Sequence, residues 1–194
     1  MDSSFAILSD IIKGRRSTKP GQMNGSFIPD EQVEQLLELA DWAPTHGNTE
    51  PWRFVVYAGE KAKAFCLQHA ELYKSYTPAQ NFLQANYDKI LRNGDNVSHI
   101  IVAINQRGKM AKIPVIEEEA ATSAAIQNIL IGATALGIAS FWSTGGLTHH
   151  PTLKDYFELG DDDTVMGILY LGYTDITQTG KRIVPLTEKV KWIS

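Results

Sequence analysis

Cysteine is almost absent: Cys66 is the single one in 194 residues. That excludes an intramolecular disulfide and any multi-cysteine metal or iron–sulfur centre, and it fits a reducing compartment, so the cytoplasm is the expected location. Positive charge is also scarce. Lys and Arg number 18 against 22 Asp and Glu, a net charge of −4, so no global basic field draws nucleic acid or an anionic membrane, and neither is expected as a partner. Any anion site must be local. No apolar run is clean enough to span a bilayer, because the longest candidate, 120–142, contains Thr122, Ser123, Gln127, Asn128, Thr134 and Ser140 and follows Glu117, Glu118 and Glu119. It reads as a buried helix of a soluble protein. The first residues place Asp2, Asp10 and the apolar positions ahead of Lys13, Arg15 and Arg16, the reverse of a secretory signal.

The common catalytic signatures are missing as well. No GxGxxG links a strand to a helix, no GxSxG elbow occurs, and no HExxH supports a metal, so the expected metal ligand set is none. His149 and His150 are adjacent and would point apart on regular structure. Gly132 and Gly137 have the spacing of a phosphate loop but no Lys-Ser/Thr follows them. Small residues for close helix packing explain them better. With no protein nucleophile or metal centre in view, the chemistry is expected from a bound cofactor, not a side chain.

What is present is ordinary globular material, 43% hydrophobic and 21% charged, enough for one domain over 1–194 with its own core. Phe5, Leu8, Ile11 and Ile12 follow helical spacing up to Gly14, and Val33, Leu36, Leu37 and Ala40 mark a second helix opened by Pro29-Asp30-Glu31 and closed before Pro44. Residues 53–58 read as a strand, 60–76 and 82–92 as helices broken at Thr77-Pro78, and 100–104 as a strand buried on both faces. A long Ala-rich helix over 117–136, with acids in its first turn, is followed by strands at 138–142 and 165–173. Helices interleaved with four strands predict an α+β or α/β sandwich.

Two polar segments lie at helix ends. Arg15-Arg16-Ser17-Thr18-Lys19 offers two guanidiniums, hydroxyls and an ammonium within five residues, with no carboxylate to neutralise them, a pattern suited to an oxyanion. Residues 43–52, APTHGNTEPW, form a turn-rich loop of amide, hydroxyl and imidazole groups. Together they suit a ligand with an anionic tail and a flat, hydrogen-bonding ring.

Read in order, RRSTK, APTHGNTEPWRFVV and the late GKRIVPLTEKVKW resemble the flavin-dependent nitroreductase family from Arg15 to about Trp192. The resemblance implies an α+β three-layer sandwich, a mostly antiparallel sheet flanked by helices, in a domain-entwined homodimer with FMN at the interface. It assigns Arg15, Arg16, Ser17 and Lys19 to the phosphate, the ribityl chain and the pyrimidine side of the ring, and Thr45, His46 and Asn48 to the ring from across the interface. It places Trp142, Ser143 and Thr144 against the flavin, and Lys181 or Arg182 on the phosphate. Glu50 stands where the family usually has glutamine, an acceptor-only anion in place of a donor-acceptor, and is not counted as a ligand. The implied activity is electron transfer from NAD(P)H through FMN to a nitroaromatic, quinone or similar small molecule, with ping-pong kinetics. Binding and turnover use the same residues, so a non-redox flavin-binding or sensing module, or a specialised flavoenzyme of this fold, stays open. Residues 69–98 are expected to shape a lid. The apolar helix from 120 to 136 is the sequence argument for a dimer face.

Overall fold

A computed structural model describes residues 3–193; residues 1, 2 and 194, and with them Asp2 and the outer bounds of the expected domain, lie outside the described residues. Ten elements run in the order α1 (Ser3–Gly14), α2 (Asp30–Asp41), β1 (Trp52–Ala58), α3 (Glu60–Tyr76), α4 (Gln84–Arg92), β2 (His99–Asn105), α5 (Val115–Ala135), β3 (Ala139–Ser143), α6 (Pro151–Tyr156) and β4 (Thr164–Gly172). The strands form one sheet in the order β1-β2-β4-β3, and each pairing is antiparallel.

Period-two alternation explains the layers. Ile101 and Ala103 of β2 with Leu169 and Leu171 of β4 face α2 and α5, while Ile100, Val102, Ile104, Ile168 and Tyr170 face Phe65 of α3 and Leu153 of α6. The sheet is thus covered on both sides, which is why β2 is buried along its whole length. The result is the expected α+β sandwich of three layers.

Helix α5 meets α2 through Gly132, where an added Cβ would lie 2.7 Å from Leu39 Cδ1 and 2.9 Å from Leu36 Cδ2. Gly132 therefore serves helix packing, whereas Gly137, with φ +72 and nothing near it, ends the helix in a left-handed cap. Ala121, Ala125, Ile126, Ile129 and Ala133 of α5 are buried in this chain's own core, so most of the apolar character that suggested a dimer face is used internally. Exposed apolar side chains remain on α1, at Trp42, at Ile116 in the first turn of α5 and on the segment after β4.

Two features escaped the sequence reading. Helix α6 has only six residues, capped by His150 Nδ1, which accepts from Thr152 N at 3.2 Å, with Pro151 in its first turn. Glu118 does not serve the helix dipole alone. It is 1% exposed and forms an ion pair with Arg107, whose Nη2 donates to Ile113 O at 2.5 Å and whose backbone N donates to Asp163 Oδ1 at 2.7 Å. This buried charge pair ties the 106–114 loop to α5. Gly108 in that loop lies against Thr49, at 3.2 Å from where a Cβ would be, so the pair also braces the loop that precedes β1.

Candidate functional site

The 15–19 segment leaves α1 and runs beside β3: Ser17 forms a parallel bridge with Ser140, and Thr18 N donates to Ser140 O at 2.9 Å. The chain returns here after β4. Gln178 Nε2 donates to Thr18 Oγ1 at 3.2 Å, and Gly180 lies so close to Arg16 that an added Cβ would sit 2.4 Å from its Cζ. Lys181 and Arg182 follow directly, so the first and last basic segments meet at one corner of the sheet. The two arginines differ there. Arg16 Nη1 donates to Lys13 O at 2.7 Å and to Arg15 O at 2.8 Å, closing the end of α1, and its Nε is buried without a partner. Among the described residues, the side chains of Arg15, Lys181 and Arg182 form no hydrogen bond or ion pair.

Beyond Ser17 the chain enters a groove of about 600 Å³, lined by Lys19, Phe141, Ser143 and the α4 residues Asp88, Lys89 and Arg92. It adjoins a cavity of about 320 Å³ that shares Lys89, Asn93 and Ser143 and reaches His69, Tyr73 and Tyr170. Of the three residues expected after β3, Ser143 lines both spaces and accepts from Gly145 N at 3.3 Å. Thr144 is exposed and lines neither. Trp142 packs on the α2–α5 side of the core, its indole N–H donating to Met166 O at 3.1 Å, so its donor is already satisfied.

His69 fixes this loop. It is 2% exposed, and its Nε2 accepts from Leu147 N at 3.1 Å. Nε2 must therefore be unprotonated, which assigns the hydrogen to Nδ1. Burial pushes the imidazole pKa down to about 4. Gly146, at φ +67, lies against the ring, and a Cβ there would be 2.8 Å from Nε2. Both the left-handed backbone and the close approach require glycine. Burial likewise pushes the Cys66 thiol up to about 12, which keeps it an unreactive core group.

The 44–51 loop is a different environment. Gly47, Asn48 and Glu50 all have positive φ, at 62°, 53° and 43°, and the loop satisfies much of itself. Thr45 Oγ1 lies 2.9 Å from Thr49 Oγ1 and accepts from Glu50 N at 3.3 Å, while His46 Nδ1 contacts the Glu117 carboxylate. Asn48 is exposed with no side-chain hydrogen bond. The loop enters β1 at Trp52, which lies opposite Asn105, the partner of Thr164. Ser17 stands at the other end of the sheet and at its other edge. With about 4.8 Å between strands and 3.4 Å per residue, the two corners are about 25 Å apart.

One chain therefore brings the 15–17 and 180–182 segments together, and sets Lys19 and Ser143 in a groove of their own. It does not bring Thr45, His46 or Asn48 to them. Sequence reasoning missed Lys89, Arg92 and His69. The available signal was the i, i+3 spacing of the two cations near the end of a helix in the expected lid. No group of three or more metal-binding side chains occurs among the described residues, and no helix there is long and apolar enough to cross a membrane.

The architecture defines an α+β sandwich with a basic corner, and beside it a groove lined by Lys19, Asp88, Lys89 and Arg92. The Nitroreductase family model matches residues 12–173, and the chain belongs to that family. It is 26% identical over 185 residues to YfhC of Bacillus subtilis (strain 168), which carries the name of an NAD(P)H nitroreductase, covering 95% of this chain and 93% of that protein. Among solved structures, a nitroreductase-like family protein from Bacillus cereus has TM-score 0.78 at 27% identity, covering 96% of this chain and 95% of that one. A Desulfovibrio desulfuricans relative solved in complex with FMN has TM-score 0.73 at 22% identity, with 96% of each chain covered, and shows the same fold.

Proposed function

We propose that the chain is a cytoplasmic, homodimeric flavoenzyme, one FMN-binding domain over 1–194 that moves electrons from NAD(P)H to a nitroaromatic, quinone or similar small acceptor. The observation that carries this reading is the contact of Gly180 with Arg16, which brings the segment of Lys181 and Arg182 beside the segment of Arg15, all three cations without a side-chain partner among the described residues. Such a cluster in a chain of net charge −4 calls for an anion of comparable charge, and a phosphomonoester fits. Family membership and the FMN held by the Desulfovibrio relative support the same cofactor. The NAD(P)H nitroreductase names of related proteins from Bacillus subtilis and Escherichia coli support the donor.

Bound FMN would supply the redox chemistry, taking electrons from NAD(P)H and passing them to the acceptor. The protein's part is binding and orientation. Arg15, Lys181 and Arg182 would grip the phosphate with the Ser17 hydroxyl, while Arg16 closes α1 and seats the returning chain. Lys19 would bring positive charge to the ring's pyrimidine side, and Ser143 and Thr144 would bound the mouth. Thr45, His46 and Asn48 would act on the ring from a second copy, because their own corner is too far away. A partner also accounts for apolar groups left bare, among them Ile183 at 87%, Leu186 at 73%, Trp192 at 90% and Trp42 at 86% exposure.

The test is flavin absorption after FMN addition, followed by anaerobic bleaching with NADH or NADPH. Bound, bleachable flavin is expected. A protein that stays colourless contradicts the assignment, and flavin that binds but resists both donors makes the chain a non-redox binding module.

A further inference from the structure

We propose that His46, held by Glu117, is the proton donor to the electron acceptor. The inference rests on the flavoenzyme reading and adds a side chain to chemistry that the cofactor alone would otherwise carry. Reduction of a quinone to a hydroquinone, or of a nitro group to a nitroso group and water, consumes two electrons and two protons. Hydride transfer supplies both electrons and one proton, so the second proton comes from solvent or from a protein acid. Imidazole is the side chain suited to give and retake a proton near neutral pH. His69 and His99 are buried, and His150 Nδ1 caps α6. His46 is the histidine on the loop that the proposed function gives to the flavin ring.

His46 Nδ1 donates to the carboxylate of Glu117, 71 residues away in sequence. That fixes a hydrogen on Nδ1 and leaves Nε2, which has no partner among the described residues, to hold and release the second proton. The pair is open to solvent, the imidazole 61% and the carboxylate 44% exposed, so it adds little stability and is readily reprotonated. The turn that carries it is nonetheless held. A Cβ on Gly47 would lie 2.9 Å from Ile113 Cδ1, and the Arg107–Glu118 pair anchors the loop to which Ile113 belongs. Glu117 is the charged group that α5 sets on the imidazole, the 106–114 loop meets the turn through Met110 and Ile113, and the turn's own acid is Glu50. Glu117, Ala120 and Ala124 line one cavity of about 340 Å³ with His46, and their spacing puts them on one face of α5. The imidazole thus stands beside small apolar side chains against which a planar acceptor can lie. In the step itself the Nε2–H bond of the imidazolium breaks and an O–H bond forms on the acceptor. Solvent then reprotonates the neutral Nδ1–H imidazole left behind. His46 is the catalytic residue and Glu117 the positioning one.

Stopped-flow reoxidation of the reduced holoenzyme by benzoquinone and by ferricyanide, at saturating FMN, separates proton donation from structure, because ferricyanide takes electrons and no proton. His46→Gln should slow the quinone reaction about a hundredfold and the ferricyanide reaction far less. Glu117→Ala should slow the quinone reaction about tenfold, and Glu117→Asp should restore part of it. The wild-type quinone rate should fall with rising pH as the imidazole loses its proton, and His46→Gln should lose that dependence. Nitrogen NMR of the imidazole, with and without FMN, reads the same geometry without turnover. Neutral His46 should be the Nδ1–H tautomer in wild type and shift towards Nε2–H in Glu117→Ala. Equal slowing with both acceptors, an unchanged quinone rate in His46→Gln, or an Nε2–H tautomer in wild type overturns the proposal, while FMN binding and bleaching by NADH or NADPH leave the flavoenzyme reading standing. A chain that neither binds nor bleaches FMN removes that reading, and the proton donor with it.

Discussion

The corner beside β3 and the corner before β1 are both polar and both loop-built, yet they are prepared differently. At the first, Arg15, Lys181 and Arg182 are unpaired, and Arg16 spends its hydrogen bonds on backbone so that the others need not. At the second, Thr45, Thr49 and His46 are tied to one another or to α5, and three residues hold left-handed backbone. The first has cations left over, which the proposed function gives to a phosphate. The second is a stiffened edge whose exposed Asn48 is offered outward. A charged phosphate needs many donors, whereas a neutral ring edge needs a few in fixed positions. On the proposed function the two corners are the two halves of one site, presented by different copies.

The largest expected effect concerns the bracing of the β1 corner. Glu118→Ala leaves the mostly buried Arg107 with only Ile113 O as a side-chain partner and should cost about 3 kcal/mol, seen as a lowered denaturation midpoint. An effect near zero would mean that the corner is held by something else. The loop beside β3 has a pH-dependent brace instead. The His69 pKa is depressed to about 4 in the folded chain against about 6.5 unfolded, so the unfolded state binds the extra proton between those values. Stability from this group is complete above about pH 6.5 and falls as pH drops toward 4, by at most about 3 kcal/mol. Denaturation of wild type and His69→Gln across that window should show the dependence in the first and a weaker one in the second.

Arg15→Ala removes a charge-assisted contact of about 1.5–3 kcal/mol, so FMN affinity should fall about tenfold or more. Arg16→Ala should lower it less and instead loosen residues 178–182, read by hydrogen exchange. Equal losses in the two would erase the distinction drawn between the arginines. The smallest effect on binding belongs to Asn48→Gly, which deletes the amide but keeps a residue at ease at φ 53°. It should slow flavin reduction more than it weakens FMN binding, as measured by stopped flow and by titration.

Much of the fold was legible because local signals agree with it. The break at Thr77-Pro78, the apolar run of β2 and the acids opening α5 place their elements within a few residues of those observed. Strand order was not legible, since the β1-β2-β4-β3 arrangement arises from long-range pairing, and it is this order that puts RRSTK and APTHGNTEPW at opposite corners. The same blindness hid the Arg107–Glu118 pair, whose acid looked like one of three dipole charges. It also hid the groove, because Lys19 and Arg92 meet only through packing of α4 on α3. Nor can sequence tell that the Trp142 N–H already has Met166 O as its partner.

The claim that one site is assembled from two corners of different copies is tested by mixing Arg15→Ala with Asn48→Gly protein after unfolding and co-refolding. Random pairing makes half of the dimers mixed, each with one intact site, so about a quarter of all sites should regain together the wild-type FMN affinity and the wild-type rate of flavin reduction, a combination that neither parent has. A mixture in which no sites show that combination would contradict it.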